Sequence, residues 1–390
     1  MARIKALRKK AGITRAQLEE RLVLGPGWVQ RYESGEVVPS IDMIGAMLHA
    51  LGSNFTDVAK DWEPEEPTTA IERLIRAEPD GKDLLVEFQY ANHDAKYVIK
   101  NATIDEFTSV LRELRDGLAA SGEDTALMSA AVSKAFLRAL KCWPKTNPSD
   151  LWYFIILRAF CDPYNHDARF ARKSFEQSWK RTGGWALEKV FVEFYRDELK
   201  KHGINIYTGT KEQKAAIIKK LGLPDRLEAD KVDIVLTADT KDGEKFFGVV
   251  HVKASFAERR TDDVPMSQVL IEAGFTSPLL TMDCKATPDA DPVNRGELGQ
   301  PRGTGTDGRS AKRKDVEDEG FFSACFSYNS STVPTPEKQK AKARIHVLDF
   351  SDADDGFVKF IVAEWARIRG QQEKMLSRAR RDLESGKAAS

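Results

Sequence analysis

The stretch "KVDIVLTADTKDGEKFFGVVHVK", residues 231–253, most narrows the folds open to this chain. Two apolar runs flank "TKDGEK", and an Asp-Gly pair between such runs is a strong signal for a β-hairpin. Paired residues of neighbouring strands share one face of a sheet, with side chains about 5 Å apart. If the chain folds back about Gly243, Asp233 lies opposite Lys253 or one residue away. The sequence therefore predicts a carboxylate and an ammonium group together at one end of a buried sheet.

A second carboxylate is predicted from the segment "SWKRTGGWALEKVFVEFYRDEL", in which Gly183 and Gly184 are expected to open a helix over 184–202. Glu188 has only apolar or aromatic residues three, four and seven positions later, so it points toward an apolar surface. Glu193 has basic neighbours, which is typical of a solvated position. Since burying a charge is costly unless it is paired or bound to a metal, Glu188 is a candidate functional residue.

Glu188, Asp233 and Lys253 are the residue types that metal-dependent phosphodiester hydrolysis needs. Carboxylates hold Mg²⁺, which polarises the phosphate and lowers the pKa of a bound water, while a lysine offsets the developing negative charge. The alternative is a buried Asp–Lys ion pair with Glu188 bonded to a backbone group. The three residues together, followed by Ser255 and a run of charges, favour the nuclease interpretation.

The elements "VD…HVKAS" resemble the core motif of the PD-(D/E)XK nucleases, with Val232-Asp233 at its "PD" and Lys253 at its lysine. Together with "SWKRTGGWALEKVF" and the charged run, they resemble type II restriction endonucleases of the branch that cuts CCGG-centred sites, BsaWI-like in arrangement, over about residues 125–370. This resemblance implies an α/β fold, a mixed sheet flanked by helices. It also implies Mg²⁺-dependent cleavage of double-stranded DNA at a palindrome by a homodimer, and a cognate methyltransferase that protects the same site.

One position departs from the motif, because His251 stands where the acidic residue two before the lysine is expected. In the CCGG-cutting branch that carboxylate is displaced onto the following helix, and Glu272 in "SQVLIEAGF" is the best candidate, with Glu258 as the alternative. The resemblance thus implies a catalytic set whose carboxylates bind the metal: Asp233, Lys253, Glu188 and Glu272. His251 either hydrogen-bonds near the phosphate or is a satisfied core histidine.

The charged run after Lys253 is predicted to read bases. Arginine donates two hydrogen bonds to guanine, and aspartate accepts one from cytosine, so an Arg/Asp combination suits C·G pairs. The alternative is a solvated turn with weak internal ion pairs. By resemblance, the candidate DNA-binding residues here are Ser255, Arg259, Arg260, Asp262 and Asp263.

Residues 1–60 have the pattern of short helices that share one core, whose apolar positions are Leu7, Leu18, Leu22, Val29 and Tyr32. Pro26 suits the first turn of a second helix over about 26–33. The segment resembles the Cro/C1-type (XRE) helix-turn-helix family, in which an Arg of the first helix pairs with a Glu at the end of the recognition helix.

Arg8 and Glu33 occupy those two positions of the family pattern. Glu19 and Val23 depart from it, because the family usually has alanine and a turn glycine there. The resemblance implies DNA contacts by Arg15, Trp28, Gln30 and Arg31. The alternative is a degenerate module used for dimerisation or packing.

The chain of 390 residues exceeds one ordinary core, which predicts several domains. We expect a helix-turn-helix domain (1–60), a Pro/Glu-rich linker (61–70), a small α+β segment (71–124), an endonuclease domain (125–370) with a mobile loop (289–320), and a charged tail (371–390). With 60 basic and 60 acidic residues the net charge is zero, which leaves a locally basic DNA-binding face open.

No apolar run is long enough to span a bilayer, and the four cysteines form no CxxC pair, so a cytoplasmic protein is expected. The competing class is a non-enzymatic DNA-binding regulator in which the nuclease-like domain serves dimerisation alone. An intact set of Glu188, Asp233 and Lys253 favours the enzyme.

Overall fold

The computed structural model describes residues 2–34, 37, 39, 41–54, 75–90, 93–122, 124–161, 175–220, 232–255, 260–287, 290–299 and 309–384. The chain divides into two compact units. The first comprises Met1–Thr68 with Asp162–Trp179, and the second comprises Thr69–Cys161 with Lys180–Ser390.

The N-terminal unit contains four short helices: α1 Ala2–Lys10, α2 Arg15–Arg21, α3 Trp28–Ser34 and α4 Ile41–Ala50. Thr14 begins α2 with a capping box, since its side chain accepts the Gln17 N–H and the Gln17 side chain accepts the Thr14 N–H. The core predicted for this segment is confirmed, with Leu18 and Val29 fully buried. The turn between α2 and α3 places Val23 at a φ of 54°, the left-handed conformation that favours glycine.

The second unit begins with an antiparallel three-stranded sheet, followed by three helices. Its strands are β1 Ile75–Asp80, β2 Asp83–Tyr90 and β3 His93–Ile99, and its helices are α5 Ile104–Ser121, α6 Thr125–Cys142 and α7 Pro148–Cys161. The helices α5 and α6 pack closely at Gly117, where an added Cβ would lie 2.8 Å from the Cβ of Ala131. The strands β1 to β3 and the helix α5 all lie within residues 71–124, for which the sequence predicts a small α+β segment.

A six-stranded mixed sheet with helices around it forms the rest of the unit, as the α/β fold class predicts. The strand order is β4-β5-β6-β7-β8-β9; β4, β5 and β6 pair antiparallel, and β6 to β9 pair parallel. The elements are α8 Phe175–Lys201, β4 Ile204–Tyr207, α9 Lys211–Lys220, β5 Ile234–Thr240, β6 Gly243–Lys253, α10 Arg260–Glu272, β7 Leu279–Thr281, α11 Ala311–Lys314, β8 Cys325–Ser327, β9 Ile345–Val347 and α12 Gly356–Glu384.

The hairpin of β5 and β6 contains a bulge that the sequence did not predict. Thr237 pairs with Phe246 but Leu236 pairs with Gly248, so Phe247 is an extra residue on β6. Beyond the bulge Ile234 pairs with Val250, and this register continues to place Asp233 beside His251. The predicted pairing, which set Asp233 opposite Lys253 or one residue away, is therefore wrong by at least one residue.

One expectation for a helix differs from the structure. Gly183 and Gly184 do not open a helix, because α8 runs without interruption from Phe175 to Lys201. Gly183 is buried within α8, where an added Cβ would lie 3.7 Å from Ile156. Across the described residues, no helix is both long enough and apolar enough to cross a membrane.

The prediction of a mobile loop over 289–320 is wrong for residues 311–319, which are helical. Residues 311–319 form α11 and a π-helical turn, and Val316 packs in an apolar cluster with Leu279 and Ile345. Arg313 is fully buried, pairs with Glu317 at 2.7 Å and donates to the Leu298 carbonyl at 3.0 Å. The polar composition suggested solvent, but buried ion pairing is what orders this segment.

Candidate active site

Asp233 lies immediately before β5, at the same end of the hairpin as Lys253. Its Oδ2 accepts a hydrogen bond from the Val252 N–H at 2.8 Å and lies 3.3 Å from the Lys253 Nζ. The backbone bond fixes the carboxylate against the neighbouring strand. The predicted closeness of Asp233 and Lys253 is therefore present, although the register that produces it is different.

The bulge at Phe247 is what puts these two side chains on one face. Paired residues share a face, and residues an even number of positions apart along a strand also share it. Asp233 lies beside His251, which is two residues from Lys253. If the same chain paired in regular register from the tip, without a bulge, Asp233 would lie beside Val250, and its side chain would point to the opposite face from Lys253.

Lys253 ends β6 and bridges two carboxylates. Its Nζ lies 3.1 Å from Asp263 Oδ2, on the first turn of α10, and 3.3 Å from Asp233 Oδ2. Burial lowers the pKa of Lys253, but the charges of Asp233 and Asp263 outweigh this effect, so its pKa lies above the ordinary value. The lysine is therefore a fixed positive charge at neutral pH.

Asp263 is the residue of this cluster that the sequence assigned to a different task. It was expected to read bases, yet its side chain is buried and paired with Lys253. Glu272, the predicted displaced carboxylate, is exposed at the last residue of α10. The signal that could have found Asp263 is its spacing, because Met266, Ser267 and Leu270 follow it at the three, four and seven positions of a buried helix face.

His251 is fully buried beside this cluster. Its Nε2 lies 3.0 Å from Ser277 Oγ, and its Nδ1 lies 3.9 Å from Asp263 Oδ1. Burial lowers the pKa of His251 to about 4, against an opposing effect from Asp233. The imidazole is therefore neutral at physiological pH.

Glu188, on α8, faces the same site and is half-buried. Burial is the main cause that raises its pKa well above the ordinary value, and the negative charge of Asp233 raises it further, while Lys214 and Lys253 act in the opposite direction. A carboxyl whose pKa is raised in this way becomes a good ligand once a cation is present.

The cluster fits a divalent metal ion. Asp233, His251 and Asp263 each offer one ligand atom, and these atoms lie within 4.8 Å of one another. Acidic groups gathered around one point repel each other, and a cation relieves that repulsion. The predicted metal ligands Asp233 and Glu188 lie on the site, whereas Glu272 does not.

The remaining residues of the predicted base-reading run are described only in part. Arg259 lies outside the described residues, and Arg260 and Asp262 lie in the first turn of α10. Ser255 is half-buried, and its hydroxyl donates to Glu297 Oε1 at 3.2 Å. Glu297 also forms an ion pair with Lys312.

In the N-terminal unit the predicted pair of Arg8 and Glu33 is confirmed, with Arg8 Nε 2.7 Å from Glu33 Oε1. Arg15 also binds this carboxylate, at 2.8 Å. Glu19 accepts the Val29 N–H at 2.9 Å and so caps the first turn of α3 from α2.

The predicted DNA-facing residues of α3 are exposed. Trp28, Gln30 and Arg31 lie on its outer surface, and the Arg31 guanidinium sits 5.0 Å from the centre of the Trp28 ring. This is the distance of a cation–π contact, which orients the arginine over the indole.

Two family models match the chain. The model described as a helix-turn-helix domain matches residues 2–59, and the model described as BsaWI restriction endonuclease type 2 matches residues 210–354. The second match contains Asp233, His251, Lys253 and Asp263.

The chain belongs to the type II restriction endonucleases, which are site-specific deoxyribonucleases. Within them it is similar to the type II restriction enzyme AgeI of Thalassovita gelatinovora, with 38% identity over 245 residues that cover 60% of this chain and 84% of that enzyme. A crystal structure of a specific AgeI–DNA complex superposes with a TM-score of 0.61 and 31% identity, over 72% of this chain and 99% of that one. Because the chain belongs to this family, the alternative of a non-enzymatic DNA-binding regulator is set aside in favour of an endonuclease.

Proposed function

We propose that this endonuclease hydrolyses phosphodiester bonds of double-stranded DNA at a palindromic site centred on CCGG, with Mg²⁺ as its metal ion. The observation that carries the proposal is the arrangement of Asp233, Lys253 and Asp263 within ion-pair distance at one end of the mixed sheet. Its similarity to AgeI, for which a DNA complex is known, supports DNA as the substrate.

Asp233, Glu188 and Asp263 are the carboxylates that we assign to the metal. Asp263 takes the part expected of Glu272, because it comes from the helix after β6 and reaches Lys253. A divalent cation held there supplies Lewis-acid polarisation of the scissile phosphate and lowers the pKa of a bound water. Asp233 is held by the Val252 N–H, so it presents its carboxylate in one orientation.

Lys253 is assigned an electrostatic and orienting task. Its pKa is raised, so it remains an ammonium ion at neutral pH and does not act as a general base. It is 21% exposed, so its ammonium group can reach a bound phosphate. There it donates hydrogen bonds to the attacking water and offsets the negative charge that develops on the phosphate.

Sequence recognition is assigned to Arg259, which precedes α10 in the sequence, and to Arg260 and Asp262 in the first turn of that helix. We keep Ser255 as a candidate contact whose hydroxyl is oriented by Glu297. Losing one bidentate guanine contact should reduce discrimination at that base pair by about 1–3 kcal/mol. An unchanged cleavage pattern and affinity in both Arg259→Ala and Arg260→Ala would assign the run to a surface turn.

Cleavage of both strands of a palindrome needs two active sites, so we propose a homodimer. A cell that contains such an enzyme must protect its own DNA, so we also propose a methyltransferase that modifies the same site. Both proteins would meet their DNA in the cytoplasm.

The helix-turn-helix is proposed to add affinity. Exposed basic residues of this unit neutralise phosphates, and each contact steepens the dependence of log affinity on log salt by about 0.9. Trp28 and Gln30 extend the contacts beyond the core site. A fragment that begins near Glu65 should cut the same core sequence but bind with a flatter salt slope, whereas an unchanged slope would show that the module does not touch DNA.

The decisive test is digestion of a plasmid with and without Mg²⁺, followed by sequencing of the ends. Metal-dependent cleavage at a CCGG-centred palindrome supports the proposal. Ends with no shared sequence, or cutting in the presence of a chelator, would overturn it.

A further inference from the structure

His251 Nδ1 is a buried nitrogen without a hydrogen-bond partner among the residues that the structure describes. The Nε2 atom of the same ring is engaged with Ser277. A buried polar atom in a native protein normally has a partner, so an orphaned one calls for an explanation such as a ligand that occupies the site.

The orphaned nitrogen points into the carboxylate cluster. Nδ1 lies 3.9 Å from Asp263 Oδ1, and the ligand atoms of Asp233, His251 and Asp263 lie within 4.8 Å of one another. Around an octahedral ion with ligands at about 2.1 Å, adjacent ligand atoms are about 3.0 Å apart and opposite ones about 4.2 Å. A small contraction of the side chains therefore closes the set around one ion.

The surroundings of the ring are compatible with the tautomer that a metal needs. When Nε2–H donates to Ser277 Oγ, Nδ1 carries the free lone pair. Ser277 is itself held, because the Ser267 hydroxyl donates to its Oγ at 2.8 Å. Phe322 packs edge-on against the imidazole, with the ring centres 5.5 Å apart. A metal-binding histidine typically has its second nitrogen fixed in this way.

We propose that His251 is a nitrogen ligand of the metal site and shifts its preference toward Mn²⁺ relative to Mg²⁺. The inference rests on the proposed function, because it concerns the metal of that same site. His251 stands two residues before Lys253, where the PD-(D/E)XK motif has a carboxylate. Imidazole binds first-row transition ions well, whereas Mg²⁺ prefers oxygen ligands, so the exchange of oxygen for nitrogen changes the selectivity of the site.

The test uses the full-length chain and Mn²⁺ alone, with pulsed electron paramagnetic resonance as the readout. In the wild type we expect bound Mn²⁺ to show coupling to an imidazole ¹⁴N nucleus. His251→Asp should still bind Mn²⁺ without that coupling, and the matched control His202→Gln, which changes an exposed histidine, should retain it. If His251→Asp does not fold, His251→Asn replaces it.

Selectivity is measured as the Mg²⁺ concentration that displaces half of the bound Mn²⁺. His251→Asp should lower that concentration about tenfold or more. Absence of bound Mn²⁺, Mn²⁺ bound without nitrogen coupling in the wild type, or the same coupling in the variant would overturn the inference.

The same samples are incubated with plasmid DNA, which separates this inference from the function it rests on. Cleavage without nitrogen coupling would remove His251 from the ligands and leave the proposed function standing. Nitrogen coupling without any cleavage would leave the ligand in place and overturn the proposed function.

Discussion

The helix-turn-helix and the nuclease centre differ in how their buried carboxylates are compensated. In the helix-turn-helix, Glu33 binds both Arg8 and Arg15, and Glu19 accepts the Val29 N–H, so each carboxylate has a partner within the unit. In the nuclease centre, Asp233 and Asp263 both pair with Lys253, and Glu188 lies near enough for the charge of Asp233 to raise its pKa. Because uncompensated buried charge lowers stability, such an excess is kept only where a ligand compensates it.

The buried charges of the helix-turn-helix stabilise the packing of its helices, whereas those of the nuclease centre are available to bind a ligand. Removal of a charge from the first region should change stability and leave chemistry intact. Removal from the second should change chemistry, with a smaller effect on folding. Three substitutions that remove a charge test this division, and a fourth, in the turn between α2 and α3, changes stability without a change of charge.

The largest effect is expected from Lys253→Ala. Loss of its positive charge at the reacting phosphate should lower the single-turnover cleavage rate by about 10³-fold. DNA binding should persist, because Lys253 acts on the phosphate and not on bases. The control is Lys200→Ala, an exposed lysine paired with Asp239. Wild-type cleavage by Lys253→Ala would break the comparison.

Glu188→Gln should follow, with a rise of about tenfold or more in the metal concentration needed for half-maximal cleavage. Because the pKa of Glu188 is raised, the metal must displace its proton, so wild-type metal affinity should weaken as pH falls below that raised pKa. The glutamine variant should lose part of this pH dependence. Glu193→Gln changes an exposed residue of the same helix and should be nearly silent; equal metal titrations for the two variants would contradict the assignment.

Glu33→Gln should destabilise the helix-turn-helix by about 1–3 kcal/mol, measured by hydrogen exchange of its helices. Burial raises the pKa of Glu33, but bonds from Arg8 and Arg15 outweigh it and leave the pKa below the ordinary value. The stability from this carboxylate is therefore present above the pKa of the unfolded chain and is lost as pH falls through the folded value. Cleavage at the core site should remain; its loss would show that the two regions do not divide as stated.

Val23→Gly should have the smallest effect, a gain of about 0.5–1 kcal/mol in the same unit. Val23 is 93% exposed at a φ of 54°, a conformation that is unfavourable for a β-branched residue. The greater flexibility of glycine in the unfolded chain offsets part of the gain. Val23→Ala keeps a Cβ and should gain less than glycine, as measured by thermal unfolding. A loss of stability in Val23→Gly would show that this valine makes a contact of its own.

Local signals account for what the sequence predicted correctly. The Asp-Gly turn located the hairpin, the apolar neighbours of Glu188 located a half-buried carboxylate near Asp233, and the spacing of Arg8 and Glu33 located an ion pair. Each depends on residues near in sequence or on a family pattern.

What was missed depends on contacts distant in sequence. The extra residue Phe247 packs against Trp365 of α12, with ring centres 5.2 Å apart. Next to it, Gly248 lies so close to Thr276 that an added Cβ would be 2.4 Å from that side chain. Arg313 is ordered by carbonyls and a carboxylate that composition alone does not reveal. Asp263 was missed because its charged neighbours suggested a base-reading run.

The two ends of the hairpin, on either side of the bulge at Phe247, should differ in how well they tolerate insertions and deletions. Between the bulge and the tip of the hairpin, residues can be gained or lost in cross-strand pairs, because the pairing of Ile234 with Val250 is then unchanged. Loss of a single residue of β6 between the bulge and His251 would set Asp233 beside Val252 and turn it away from Lys253, while every codon of the active site remained intact. Homologues of this enzyme should therefore vary in length at the hairpin tip and keep the spacing between the bulge and Lys253.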